Sequence, residues 1–130
     1  SEVINYSNQS IVDEVMKMTD GRGADVVIEC VGGNILQQSL EALCLNGRLS
    51  TAGAHAGEKV EIDMIEFFRK QLTMTSTHFA PVSTNQIVLK LVKEGKLRPV
   101  IEEILPLKDV KAGHDLIASR KFFGKVVLEV

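Results

Sequence analysis

The sequence predicts an α/β fold built on a parallel sheet, and three observations lead there. Val26, Val27 and Ile28 are consecutive and β-branched, so a strand at 25–30 calls for cover on both faces, as in a parallel sheet between helices. Strand patterns alternate with helical patterns of about ten residues along the chain. Two strands end in corners stripped of bulky side chains, Gly32-Gly33 and Gly53-Ala54-His55-Ala56-Gly57, and open α/β sheets hold ligands beyond such carboxyl ends.

Residues 3–6 read as a short strand. Ser7 or Ser10 can cap the helix that follows, which carries Ile11, Val12, Val15 and Met16 on one face and stops at Gly21. In the strand at 25–30, burying each large apolar side chain contributes roughly 1.5–3 kcal/mol. Gly32 and Gly33 remove side chains where the backbone turns and leave room for a ligand, and Asn34 is placed to cap the next helix. Leu36, Leu40 and Leu43 recur at helical spacing, and Asn46-Gly47 supplies a left-handed stop.

A strand at 48–52 then leads into the second corner. Ile65, Phe68 and Leu72 mark a short helix after Asp63, and the β-rich stretch 72–79 forms a strand halted before Pro81. Ser83 and Gln86 have capping-box spacing for a helix bearing Ile87, Val88, Leu91 and Val92, which Gly95 ends. A strand at 101–105, a helix at 109–119 weakened by Gly113, and a strand at 125–130 complete the chain.

With 130 residues, 45% of them hydrophobic and 25% charged, the chain has the composition of an ordinary globular domain. A net charge of -2, and aromatics not interleaved with Arg or Lys, argue against a nucleic-acid partner. No apolar run is long enough to span a bilayer, and Ser1-Glu2-Val3-Ile4 does not open a signal peptide, so a cytoplasmic protein without a membrane partner is expected. Cys30 and Cys44 form no CxxC pair, and His55, His78 and His114 are scattered. No metal site and no catalytic constellation is readable from them.

Several segments together carry a family resemblance: Val3-Ile4-Asn5-Tyr6, Gly23-Ala24-Asp25-Val26-Val27-Ile28-Glu29-Cys30-Val31-Gly32, and Asn46-Gly47-Arg48 leading to Gly53. Gly95-Lys96-Leu97-Arg98-Pro99 and Gly124-Lys125-Val126-Val127-Leu128 extend it to the end of the chain. In order and spacing they resemble the carboxyl-terminal part of a medium-chain dehydrogenase/reductase, the family of zinc-containing alcohol dehydrogenases and quinone oxidoreductases. The resemblance implies a truncated Rossmann-type parallel sheet lacking the first two strands, with helices on both faces. In the strand order 3-2-1-4-5-6, residues 3–6 would lose their partner and the 25–30 strand would expose an apolar edge. A second copy, a rearranged segment or the N-terminal strand moved inward would then cover that edge. The implied domains are a partial dinucleotide-binding domain at 1–99 and a segment at 100–130 returning toward a catalytic domain. The family's GxGxxG turn, the residue selecting NAD or NADP and the zinc ligands do not occur in these residues, so zinc, where used, is implied for the catalytic domain and not for this chain.

Carried over residue by residue, the resemblance implies that Cys30, Val31 and Gly32 lie beside the adenosine and ribose of NAD or NADP, with Gly33 in the same turn. Ala52, Gly53 and Ala54 would line the nicotinamide, and Ser76 and His78 would approach its carboxamide and ring. Core packing is the alternative role for Cys30 and Val31; a solvent-facing or dimer-edge position is the alternative for His78, while His55, His114 and Lys125 read as surface residues. The implied activity of the parent protein is hydride transfer between the cofactor and a small alcohol, aldehyde or quinone-like carbonyl substrate. This chain alone would be inactive, and a homo-oligomer through sheet edges, including the 72–79 strand, is implied. The rival from another class is a non-enzymatic folding or dimerisation module. A flavodoxin-like domain is disfavoured because no phosphate loop follows a first strand.

Overall fold

The apolar run Val26-Val27-Ile28 forms a strand, β1 (Ala24–Glu29), in the computed structural model, which describes residues 1–78 and 80–130. β1 pairs in parallel with β2 (Leu43–Thr51), and β2 in parallel with β3 (Thr73–Ser76), in the sheet order β1-β2-β3. Such a sheet requires a crossover between each pair of strands. Helix α2 (Gly33–Glu41) makes the first, and the second contains α3 (Met64–Arg69). The fold class is the expected one, a truncated Rossmann-type parallel α/β sheet.

Register decides where the core sits. Val27, Leu49 and Met74 share one row of the sheet, and side chains alternate between its faces. On the Leu49 face, Leu36 and Leu40 of α2 meet Leu43 and Leu49, with Val27, Val60, Ile62, Phe67 and Leu72 packed around them. Leu43 and Leu49 are 0% and 1% exposed. Val26 and Ile28 belong to the other face of β1 and are 54% and 73% exposed. The β-branched run that calls for cover on two sides is therefore packed on one.

Helix α1 (Ile11–Met18) precedes β1. Of its two candidate caps Ser10 is the one used, its hydroxyl accepting a hydrogen bond from the Asp13 amide at 3.2 Å. Asp63 caps α3 in the same way, accepting from the amides of Ile65 and Glu66. At the mouth of β1, Arg22 grips Asp25 through two hydrogen bonds of 2.5 and 2.8 Å. The guanidinium holds the exposed Asp25 carboxyl below the usual carboxylate range.

The chain divides into two compact units, residues 1–79 and residues 80–130. In the second, β4 (Ile101–Pro106) and β5 (Lys125–Glu129) pair in parallel, joined by a short 3-10 turn (Leu107–Asp109) and helix α5 (Val110–Ser119). Helix α4 (Val82–Lys93) opens the unit, and Gly95, at φ +71°, follows its end. Among the described residues no helix is long and apolar enough to cross a membrane.

Five local expectations are corrected. Residues 3–6 form no strand: the Asn5 carbonyl instead accepts the amides of Asn8 and Gln9, and Gln9 Oε1 accepts the Asn5 amide at 2.8 Å. With no neighbouring strand to pair with, local hydrogen bonds prevail. Asn34 does not cap α2; it lies inside the helix, and Gly32 occupies the cap position. The helix also stops earlier than the Leu36-Leu40-Leu43 spacing suggests. Leu43 begins β2, and Asn46, left-handed at φ +62°, sits where the pairing slips from Ala24↔Leu43 to Val26↔Arg48. Ser83 forms no capping box, because Pro81 takes the cap position of α4 and its carbonyl accepts the amides of Thr84 and Asn85. β3 is shorter than 72–79, although the Thr77 amide still donates to the Thr51 carbonyl; Phe79, the last residue of that expected strand, lies outside the described residues.

Two outcomes follow from this packing. A Cβ added at the buried, helical Gly113 would meet Leu105 and Val126 at 3.5 Å, ordinary van der Waals contact. Gly113→Ala should therefore raise the stability of the second unit by roughly 0.5–1 kcal/mol in urea denaturation. The second concerns acid. Because the folded pKa of Asp25 is lowered, its pairing contributes stability above the unfolded carboxylate pKa of about 3.9 and loses it as the pH falls through the folded value. Any melting-temperature difference between wild type and Arg22→Ala at neutral pH should disappear in strong acid.

Candidate functional site

The parallel register brings Glu29, Thr51 and Ser76 into one row at the carboxyl ends of β1, β2 and β3. Beyond this row the chain turns at Cys30–Gly32 and again at 52–57. Main-chain hydrogen bonds join the two turns into one shelf: Ala52 N to Glu29 O at 2.9 Å, Ala56 N to Val31 O at 2.8 Å, and Gly33 N to Gly57 O at 3.1 Å. The corners therefore lie at the same end of the sheet, where open α/β folds place their ligand crevices.

The reason for the glycines is the approach of one corner to the other. At Gly32, φ +76°, a Cβ would come within 2.6 Å of Ala54 Cα and 2.8 Å of the Gly57 carbonyl oxygen. At Gly33 it would meet the Ala56 carbonyl, and at Gly53 it would run into the Cys30 carbonyl. Loop-to-loop contact, not only room for a ligand, requires these positions to be bare.

Beneath the shelf lies Glu29, 3% exposed and the last residue of β1. Its Oε1 accepts the amides of Val31 at 2.6 Å and Gly32 at 2.8 Å, and its Oε2 accepts the Thr51 hydroxyl at 3.2 Å. A buried carboxylate needs such donors, since an unsatisfied one is strongly disfavoured. The carboxylate thereby fixes the turn that leads into α2.

Above it is an open hollow of about 300 Å³ lined by Gly32, Gly53, Ala54 and Gly57, with Thr51, Glu58 and an apolar floor of Leu36, Val60, Ile62 and Met74. Among the described residues, the amides of Gly53 and Ala54 meet no hydrogen-bond acceptor. An apolar floor beside solvent-accessible main-chain donors suits a flat ring carrying a carbonyl group.

Of the residues singled out from the sequence, Gly32, Gly53 and Ala54 line the hollow. Cys30, exposed, Val31, half-buried, and Gly33 belong to the first corner but not to the lining, and Ala52 starts the second corner. Ser76 lies opposite Thr51 at the end of β3, and His78 is exposed just beyond it; neither lines the hollow. Sequence reasoning missed Glu29 and Thr51 as the supports of the shelf, and Val60 and Ile62 as its floor. A charged residue following the apolar run Val26-Val27-Ile28, and the alternation Val60-Glu61-Ile62 before Asp63, were the signals available.

A sequence profile described as zinc-binding dehydrogenase matches residues 1–128. The chain belongs to this family. It is 31% identical to the quinone oxidoreductase-like protein 2 homolog of Nematostella vectensis, over 96% of this chain and 37% of that protein. To the 2-haloacrylate reductase of Burkholderia sp it is 29% identical, over 96% of this chain and 40% of that protein. A solved NAD-dependent alcohol dehydrogenase superposes with a TM-score of 0.83 at 34% identity, over 99% of this chain and 38% of that one. The chain thus spans about two-fifths of the length of these oxidoreductases.

Among the described residues no three His, Cys, Asp or Glu side chains are grouped to hold a metal ion. Cys44 is buried with its thiol donating to the Leu45 carbonyl at 3.3 Å, whereas Cys30 is exposed. The donors needed for a tetrahedral site are not gathered in these residues.

The shelf can be tested with two glycines. Gly21, at φ +81°, has open space where a Cβ would go, so Gly21→Ala carries only backbone strain, about 1–2 kcal/mol. Gly32→Ala carries that strain and the collision with Ala54, and should cost clearly more in chemical denaturation.

Proposed function

We propose that this chain forms one wall of the cofactor cleft of an NAD(P)-dependent oxidoreductase. The observation that carries the reading is the shelf itself: two strand-end corners joined by main-chain hydrogen bonds, with the amides of Gly53 and Ala54 facing no acceptor beside an apolar hollow. Family membership agrees with it. When bound, the nicotinamide supplies hydride transfer; the residues here bind and orient it. Ala52, Gly53 and Ala54 offer main-chain groups to the carboxamide, and Ser76 and His78 stand at the neighbouring strand end. Cys30, Val31, Gly32 and Gly33 take the adenosine and ribose side. The hollow has the volume for part of a dinucleotide, so the cofactor's remaining contacts come from outside it.

In this reading residues 1–99 belong to the dinucleotide-binding domain and residues 100–130 lead back toward a catalytic domain. The parent protein acts in the cytoplasm on a small alcohol, aldehyde or quinone-like carbonyl compound. Substrate and any zinc are held by other parts of the protein, and the isolated chain does not turn over substrate. A second reading, a non-enzymatic association module, is favoured by one observation: among the described residues β1 pairs with β2 alone and exposes Val26 and Ile28. Association through sheet edges is compatible with both readings.

Calorimetric titration of the complete natural protein with NAD(H) and NADP(H) separates the two. The cofactor reading expects one of the two pairs to bind. Ala54→Leu, which adds bulk at an exposed position lining the hollow, should weaken that binding about tenfold, or ~1.4 kcal/mol. Binding of neither cofactor, or equal binding by Ala54→Leu, would refute it.

A further inference from the structure

We propose that Glu29 is a positioning residue for the cofactor: its buried carboxylate sets the spacing of the two corners without touching the ligand. The inference rests on the cofactor-shelf reading and adds to it a residue that lies outside the hollow's lining. Three donors converge on this one group. Oε1 holds the amides of Val31 and Gly32, so it defines the turn that carries the first corner. Oε2 holds the hydroxyl of Thr51, the residue next to Ala52, Gly53 and Ala54. The main-chain carbonyl of Glu29 accepts the Ala52 amide as well. A single residue thus grips both corners, one through its side chain and the other through its side chain and main chain.

Chemistry makes the grip specific. A carboxylate has acceptor lone pairs on both oxygens and no proton to place, so it can receive donors from two directions at once. An amide in its place can keep its oxygen on the turn amides and donate its N–H to the Thr51 hydroxyl, but it loses the charge that strengthens the bonds to the turn. A methyl group leaves two turn amides without their partner. The corners tolerate little drift, because Gly32 and Ala54 already approach at a distance that excludes a Cβ. Small displacements of groups that orient a bound ring have large effects on its binding and reactivity.

The test uses the complete natural protein with three variants, Glu29→Gln, Glu29→Ala and Thr51→Val, and two readouts. The first needs no cofactor: amide hydrogen exchange at Val31 and Gly32 should be protected in wild type, faster in both Glu29 variants, and nearly unchanged in Thr51→Val. The second is the dissociation constant for whichever nicotinamide cofactor wild type binds, measured well below each variant's melting temperature. It should rise about tenfold or more in Glu29→Ala, with Glu29→Gln and Thr51→Val intermediate. In turnover the KM for cofactor should rise while kcat changes less, a split that general destabilisation does not produce. Unchanged exchange in a folded Glu29→Ala protein would overturn the tether. Normal cofactor affinity in a folded Glu29→Ala protein would overturn the positioning role; if that variant does not fold, normal affinity in both Glu29→Gln and Thr51→Val does the same. Failure of wild type to bind either cofactor counts against the cofactor-shelf reading instead, while the exchange measurement still decides the tether.

Discussion

The in-register parallel pairing of β1 with β2 is the constraint on which the rest of the structure depends. It places Leu49 beside Val27 over the leucines of α2, and it ends both strands in the same row, Glu29 beside Thr51. A shift by one residue would move Val27 and Leu49 off the packed face and carry the corners out of hydrogen-bonding reach of each other. Core and site are therefore set by one register. The slip at Asn46 and Gly47 absorbs the extra length of β2 at the opposite end of the strands, away from the shelf.

Much of the fold was legible because it is encoded in hydrophobic spacing and in residues with narrow conformational preferences. The 25–30 run, the Ser10 cap, the short helix after Asp63, the end of α4 near Gly95 and the β4–α5–β5 crossover all have local signatures. The failures trace to pairing: a tertiary partner overrides a local preference, an expected partner is missing, or a neighbouring residue such as Pro81 takes the position first. Asn34 is a good cap by composition, but the helix begins before it, at Gly33, with Gly32 in the cap position. Leu43 continues a helical spacing, yet it is fully buried as the first residue of a strand, where the Asn46 amide is held by the Lys70 carbonyl. Residues 3–6 have strand composition without a strand to pair with. No local rule reveals such partners, since they are distant in sequence.

The candidate site was legible in a narrower sense. Gly32, Gly53 and Ala54 were found because bare corners at strand ends are visible in sequence, and the resemblance assigned them to a cofactor. Their supports were not found. Glu29 is an acidic residue in an apolar strand, a pattern equally suited to a surface edge, and only its three donors reveal that it faces inward.

Bare glycines at a strand end are weak evidence of a ligand by themselves, because the structure shows a second reason for each: Gly32, Gly33 and Gly53 all abut main chain of the opposite corner. The functional argument gains force from what the packing does not explain. Once the corners are joined, Val31, Ala52 and Ala56 have main-chain partners, whereas among the described residues the amides of Gly53 and Ala54 have none. Those amides stand at the rim of an apolar hollow at the carboxyl edge of a parallel sheet, in a chain of the zinc-binding dehydrogenase family. Ala54 is exposed and Gly53 half-buried, so these donors are open to a ligand that displaces water. A ligand carbonyl presented to Gly53 and Ala54 would satisfy them, and the nicotinamide carboxamide has one.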